Sequence, residues 1–433
     1  MKIKENYRRI LKNFIALALV QGTNFLLPLV LMPHLNATIG IEKFGVVSFV
    51  QTVMIFLATF ADFGFNLSAT REIAIYKGNS HRMQIIVSKV LIIKLLLTFF
   101  AFLFLLILLL LVPKFQENIQ AYLLGFSIVL GQALMPVWFF QGIEKMNYLT
   151  YLNLVAKMLF TILIFMFVKY PEHTSWVLLF FGLGNVISGV IGIWLIFKEL
   201  KNFHLIIPSF STIAHEIKTG TSLFMANLSV ISYIHSNLFI LGLFANDYIT
   251  GIYSIAEKII LAMRQILVVF SQAIYPQVCQ LAQESIQKLR QLFKKIFIPF
   301  VALYLIFCIA VFFFSDWLVL ILAKKSLPEA IFLLQLLCCV PFIVALNIPA
   351  NQTLLAYQHQ QSYMLVLGIG SLLNILLNLL LAWLLKAEGT ALSVILTETF
   401  ITIGLHFVLH YKHPAENLLG NVNLIRKCKN LQV

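Results

Sequence analysis

Charge is scarce in this chain: 17 aspartates and glutamates and 31 lysines and arginines stand among 433 residues. A water-soluble globule needs a wetted surface, and 11% charged against 61% hydrophobic residues cannot supply one. Long polar stretches are also missing, so no loop between apolar runs has room for a folded soluble domain. Cysteine is sparse, at five: Cys308, Cys338 and Cys339 lie within apolar runs, with Cys279 and Cys428 outside them. That pattern excludes a disulfide framework or a cysteine metal cluster. No cleavable leader is expected, because the first apolar run is too long and lacks a small-residue cleavage site. Ring motifs and filter strings of the kind that line channels are absent too.

What the chain has is apolar length. Mean hydropathy is +0.93, and 39 phenylalanines contribute to it. Twelve long apolar runs are visible: 11–35, 44–63, 85–112, 119–140, 148–168 and 174–197, then 219–244, 248–275, 292–314, 328–356, 363–385 and 390–409. Inside hydrocarbon the backbone must satisfy its own hydrogen bonds, so each run predicts a membrane-crossing helix of about 20 residues. Pro328, Pro341 and Pro349 interrupt the segment 320–354, the least regular of the set. With the N-terminus inside, 21 of the 31 lysines and arginines fall on the inner side and 6 on the outer, with 4 inside spans. That asymmetry places both termini in the cytoplasm. The formal charge of +14 then reflects this bias and attraction to anionic lipid headgroups, and does not point to nucleic acid.

The chain also repeats itself. FGVVSFVQ from Phe44 matches TGIYSIAE from Thr250, placing Gly45 over Gly251, Ser48 over Ser254 and Gln51 over Glu257 at an offset of 206. The stretch from Gln141 lies over that from Ala356, with Tyr148 over Tyr363 at an offset of 215. Six spans per half is an even number, so both halves insert with the same orientation, related by an axis along the membrane normal. The expected architecture is an all-α polytopic membrane protein of twelve transmembrane helices. These form two pseudo-symmetric six-helix bundles around a central cavity. Residues 1–205 make the N-lobe, and residues 206–433 make the C-lobe with a cytoplasmic tail.

Charges within the spans need a reason, since each costs at least about 2.5–3.5 kcal/mol near the bilayer centre on insertion scales. The eighth run carries Glu257, Lys258 and Arg264. At about 100° per residue, Glu257 and Arg264 share one helix face. Two readings stand: a cationic anchor for a phosphate-bearing substrate in a wetted cavity, or a structural Arg–Glu pair between helices. Ser48, Gln51 and Asp62 form one stripe on the second run, where Asp62 is expected to pair with Arg71. Asn13, Asn24 and Pro28 share a face of the first run with Gln21 beside them, either lining the cavity or bonding between helices. Lys94 is expected to snorkel to the inner interface, while the deeper Lys157 is a candidate second cation. His235 and Asn237 are candidates for proton relay or sugar contact, or for an interhelical hydrogen bond. Glu398 sits midway along the last run with no basic residue one turn away. It is either a proton carrier or a neutral acid held by Asn374 or Asn378. Gly184, Ser188 and Gly192 predict a close helix-packing seam.

Several strings resemble the Wzx-type flippases of bacterial polysaccharide assembly, within the multidrug/oligosaccharidyl-lipid/polysaccharide (MOP) exporter superfamily. They are NFLLPLVLMPHLNATIGIEKFGVVSF from Asn24, DFGFNLSATREIA from Asp62 and WFFQGIEKMNY from Trp138. GIYSIAEKI from Gly251, QAIYPQ from Gln272 and EGTALSVILTE from Glu388 complete the set, in order along nearly the whole chain. The resemblance implies translocation, by alternating access, of an undecaprenyl-pyrophosphate-linked oligosaccharide such as an O-antigen or lipopolysaccharide repeat unit. Movement would run from the cytoplasmic to the outer leaflet of the bacterial inner membrane, coupled to an ion gradient. It implies no catalysis, cofactor, metal or nucleic-acid partner. It also implies membrane lipid as surroundings, function as a monomer, and the polysaccharide polymerase and chain-length proteins as partners. Carried onto this sequence, the substrate-binding candidates are Arg264, Lys258, Glu257, Lys157, Asn24, Gln21 and Gln51. The ion-coupling candidates are Glu398, Asp62 and His235. The rival within the superfamily is a multidrug or small-cation antiporter, which wants central acidic residues. A membrane ligase or polymerase would want a large outer loop that this chain lacks.

Overall fold

A computed structural model of the chain describes residues 28–200 and 203–412, and among these every regular element is helical. In chain order they are α1 (28–38), α2 (Gly40–Asp62), α3 (Phe65–Ile75), α4 (Ser80–Leu111), α5 (Pro113–Gln116), α6 (Ile119–Leu134) and α7 (Val137–Gly142). Next come α8 (Met146–Phe167), α9 (Thr174–Glu199), α10 (Phe210–Phe244), α11 (Asp247–Glu284) and α12 (Ile286–Leu292). A π turn at Phe293–Phe297 leads into α13 (Ile298–Phe313), α14 (Ser315–Ala323), α15 (Pro328–Leu337), α16 (Cys339–Ala356) and α17 (Gln360–Lys412). Ten helical stretches among the described residues are long and apolar enough to cross a bilayer. The first predicted span lies mostly outside the described residues.

The helix ends follow from local chemistry. Asn79 caps α4 by accepting the backbone N–H of Arg82 at 3.1 Å, and Ser209 caps α10 through Thr212 at 3.3 Å. Phe63 and Gly64, with φ of 46° and 81°, break α2 from α3 in the left-handed region that ends helices. Pro341 offers no N–H to the carbonyl of Leu337, and α15 gives way to α16 at Cys338. In α17, Lys386 at φ 52° and ψ −124° splits the 53 residues into two helices. That turn falls between the last two predicted spans.

The faces show what solvent the helices expect. On α4, Val87, Val90, Leu97, Ala101 and Leu105 are buried, while Phe99, Phe104, Ile107 and Leu110 are exposed. A helix apolar on both faces belongs in lipid.

The described residues divide into two compact units: His34–Gly251, and 28–33 with 252–412. This division differs from the repeat boundary at 205/206. Within the first unit, α10 packs on α2: Phe63 stacks on Phe224 at 4.6 Å and Phe49 on Phe239 at 6.0 Å. Trp138, Phe139 and Phe140 of α7 are fully buried in the same unit among Phe63, Ile73 and Leu149. The glycine seam on α9 is a close approach: Gly184 lies against Ala156 of α8, and Gly192 against Pro136 and Leu152.

Candidate functional site

Within 252–412, α11 carries Glu257, Lys258 and Arg264, all half-buried. Arg264 donates from Nη2 to Glu398 Oε1 at 2.9 Å, across to the second half of α17. The two ends of this pair differ. Glu398 keeps 4% of its side chain exposed and Arg264 keeps 27%, so the cation is the accessible partner. Polar groups surround the pair. Thr402 Oγ1 donates to the Glu398 carbonyl at 2.7 Å, and Asn374 Nδ2 donates to Thr397 Oγ1 at 3.3 Å. Tyr304 donates its hydroxyl to the Met263 carbonyl at 2.9 Å. One corner further along, Gln352 Nε2 reaches the Ser271 carbonyl and hydroxyl at 2.7 and 2.5 Å. The sequence offered Glu398 an asparagine partner; the structure gives it a guanidinium from a neighbouring helix. The interhelical Arg–Glu pair weighed from the sequence is present, but with Glu398.

Within His34–Gly251 the charges are organised differently. Lys94 is buried, with 1% of its side chain exposed, and donates to Asp62 Oδ1 at 3.0 Å. Two expectations fail here: Lys94 does not snorkel, and Asp62 bonds Lys94 in place of Arg71. The nearest cation in sequence is not the nearest in space. Lys89 donates to both Glu72 at 2.9 Å and Glu216 at 2.6 Å, tying α3 and α10 to α4. At the other end, Lys114 bonds Asp247 at 2.8 Å and Glu117 at 3.3 Å. Lys89, Glu216, Lys114 and Asp247 were not singled out from the sequence. Lys89 and Glu216 lie 127 residues apart, and Lys114 and Asp247 lie 133 apart, separations that helical periodicity cannot bridge. Gln51, Lys157 and His235 are half-buried on α2, α8 and α10. Gln21 and Asn24 lie outside the described residues. Thus Glu257, Lys258, Arg264 and Glu398 share one unit, and Gln51, Asp62, Lys157 and His235 share the other.

Outside the spans, Glu144 sits at φ 63° and accepts from Lys77 at 2.7 Å, which holds its carboxyl below the usual carboxylate range. Lys145 beside it bonds Glu199 at 2.5 Å, and that bond holds its amine above the usual lysine range. Exposed pairs of this kind are screened by water and salt and add little to stability. Among the described residues, no group of three or more His, Cys, Asp or Glu is placed to hold a metal.

The profile of the family described as "Polysaccharide biosynthesis protein" matches residues 10–282. A protein named "Putative O-antigen transporter" from Escherichia coli strain K12 is 27% identical over 392 residues, covering 90% of this chain and 94% of that protein. Its namesake from Shigella dysenteriae is 28% identical over 398 residues, covering 90% and 98%. Among solved structures, the lipid II flippase MurJ in an inward closed conformation superposes with a TM-score of 0.68 at 14% identity, covering 91% of this chain and 87% of that one. An inward-facing multidrug resistance MATE family transporter of the MOP superfamily gives 0.66 at 12% identity, covering 90% and 96%. At these identities the structures speak for the fold alone.

Proposed function

The chain belongs to the polysaccharide biosynthesis protein family, and from that footing we infer that it is a flippase for undecaprenyl-pyrophosphate-linked oligosaccharides. It moves the headgroup from the cytoplasmic to the outer leaflet of a bacterial inner membrane and performs no covalent chemistry. The observation that carries this reading is the alignment, over nine-tenths of the chain, with curated proteins named as O-antigen transporters. Physics sets the task. A sugar pyrophosphate stripped of water loses hydrogen bonds that hydrocarbon cannot replace, so it needs a polar route while the prenyl tail stays in lipid. Two six-helix lobes rocking about a wetted cavity supply that route, with both termini cytoplasmic.

Arg264 is the anchor for the pyrophosphate, because a guanidinium offers paired donors to phosphate oxygens and keeps its charge when desolvated. Lys258 and Glu257 lie on the same helix and set the local field. Lys157 is the second cation: Lys157→Ala should reduce surface polysaccharide severalfold without abolishing it. Normal display by that variant would assign Lys157 to the interface. Glu398 is the ion-coupling group, as the buried carboxylate that meets Arg264; Asp62 and His235 are secondary candidates. The antiporter reading wants an accessible acidic centre and is disfavoured because the accessible member of this pair is the cation.

Deleting the gene should leave lipid-linked repeat units trapped on the cytoplasmic leaflet, protected from an impermeant glycosidase added outside. Units that reach the outer leaflet at the normal rate in the deletion strain would refute the reading.

A further inference from the structure

Within 252–412, α14 and α15 form a hairpin about the turn at 324–327, and a pocket of about 680 Å³ opens along it. Asp316, Trp317 and Leu320 line it from α14, Phe332 and Gln335 from α15, and Ser326 from the turn. Gln335 donates from Nε2 to Ser315 Oγ at 3.0 Å, a bond that ties the two helices and pins the amide. Among the described residues, neither the Gln335 amide oxygen nor the Asp316 carboxylate receives a hydrogen bond. Two acceptors thus line the pocket without a donor.

Helix length fixes the depth of the hairpin. Lys294 and Lys295 mark the inner interface. From Lys295 to Asp316 the chain is helical for 21 residues apart from a one-residue break at Phe314. At 1.5 Å per residue that is about 30 Å, the thickness of the hydrocarbon. Asp316 and Trp317 therefore sit at the outer headgroup level, and the rest of α14, the turn and the start of α15 stand beyond the acyl chains. Exposed there are Trp317 at 60%, Leu320 at 48% and Phe332 at 51%. A lone tryptophan at this level is an ordinary interface anchor. Rings on both sides of a pocket that also holds two acceptors without donors ask for a ligand.

We propose that this pocket is a saccharide-binding site on the outer face of the protein. It rests on the flippase reading for its side of the membrane and for the presence of a sugar there. A pyranose presents C–H groups on its faces and hydroxyl donors at its rim. The C–H faces suit the electron-rich faces of Trp317 and Phe332, and the hydroxyls supply the donors that Asp316 and Gln335 lack. Apolar walls with a few polar groups are the usual form of small-ligand pockets, whose volumes run from about 300 to 1,000 Å³. A lipid ammonium group would satisfy Asp316 and leave Gln335 and both rings idle. The site is separate from the Arg264 pair. Tyr304, which bonds the carbonyl of Met263 beside Arg264, lies 12 residues before Asp316 on the same helical run, about 18 Å deeper. The pocket therefore meets the sugar after the crossing and takes no part in holding the pyrophosphate.

The test uses the full-length protein in nanodiscs of phosphatidylglycerol, which bring no amine. The probe is the repeat-unit oligosaccharide of the host strain, tritiated and released from its lipid carrier. Equilibrium dialysis should show saturable binding. Asp316→Ala should weaken it roughly tenfold or more, as loss of a charged hydrogen bond would. Trp317→Ala should weaken it severalfold, with Trp317→Phe restoring most of it. Both side chains are exposed, so neither variant opens an interior cavity, and each carries the measurement if the other fails to accumulate. Right-side-out vesicles should bind the probe added outside; binding by inside-out vesicles alone overturns the outer placement. Binding that both alanine variants leave unchanged, or no binding by the unaltered protein, overturns the site and leaves the flippase reading to the leaflet measurement. Pocket-dependent binding with normal export in the deletion strain supports the site and counts against the flippase reading.

Discussion

Cells carrying Arg264→Ala should lose surface polysaccharide and accumulate its lipid-linked precursor, and the reason can be separated into two parts. Arg264 is the accessible half of an ion pair whose other half, Glu398, is almost fully buried. Removing the cation alone leaves a carboxylate uncompensated in the interior, which costs about 3–5 kcal/mol of stability. The single variant should therefore also fall in membrane level. Arg264→Gln combined with Glu398→Gln removes both charges while keeping shape and hydrogen-bonding capacity. Its level should recover. Export should not, because the donor to the pyrophosphate is still missing. A charged hydrogen bond contributes about 1.5–3 kcal/mol, so export should drop roughly 10- to 150-fold. The measurement is precursor protected inside against polymer displayed outside, normalised to protein in the membrane. Normal export by the double variant would reduce Arg264 to a structural tie between α11 and α17.

The sequence made the helices legible because hydrocarbon leaves the backbone few options. Of the prolines singled out, Pro341 marks a real break between α15 and α16, while Pro349 lies inside α16 and the break at Pro136 falls within a run read as continuous. Which face of each helix turns inward was not legible. On α4 the exposed face is apolar while the buried face carries Ser88, Lys94 and Thr98 among its apolar residues, so a hydrophobic stripe does not mark the interior. Ion-pair partners were illegible for a related reason. Asp62 has Arg71 two turns away in sequence, yet it bonds Lys94, which neighbouring packing brings closer. Glu398 has no cation on its own helix, and the guanidinium that serves it lies 134 residues earlier. The repeat was the exception. Its offset of 206 aligns Gly45 with Gly251, and those two residues lie in contact.

Lys94→Met should destabilise the protein about as much as the loss of Arg264, roughly 3–5 kcal/mol, because Asp62 would be left without its buried cation. The pair is unlike the Arg264 site in one respect. Lys94 is the deeply buried member, at 1% exposure, and Asp62 is the more accessible one at 17%, so an incoming anion has no open cation to meet. The role expected of it is to hold the start of the α2–α3 turn against α4. Asp62→Asn with Lys94→Met removes both charges, and buried pairs replaced together by neutral groups of similar volume are often tolerated. The double variant should regain its level in the membrane and its resistance to detergent unfolding, with export close to normal. If the level returns but export does not, the pair takes part in transport, and Asp62 rejoins Glu398 as a coupling group. If Lys94→Met alone is as stable as the unaltered protein, water reaches Asp62 and the pair is not a buried tie.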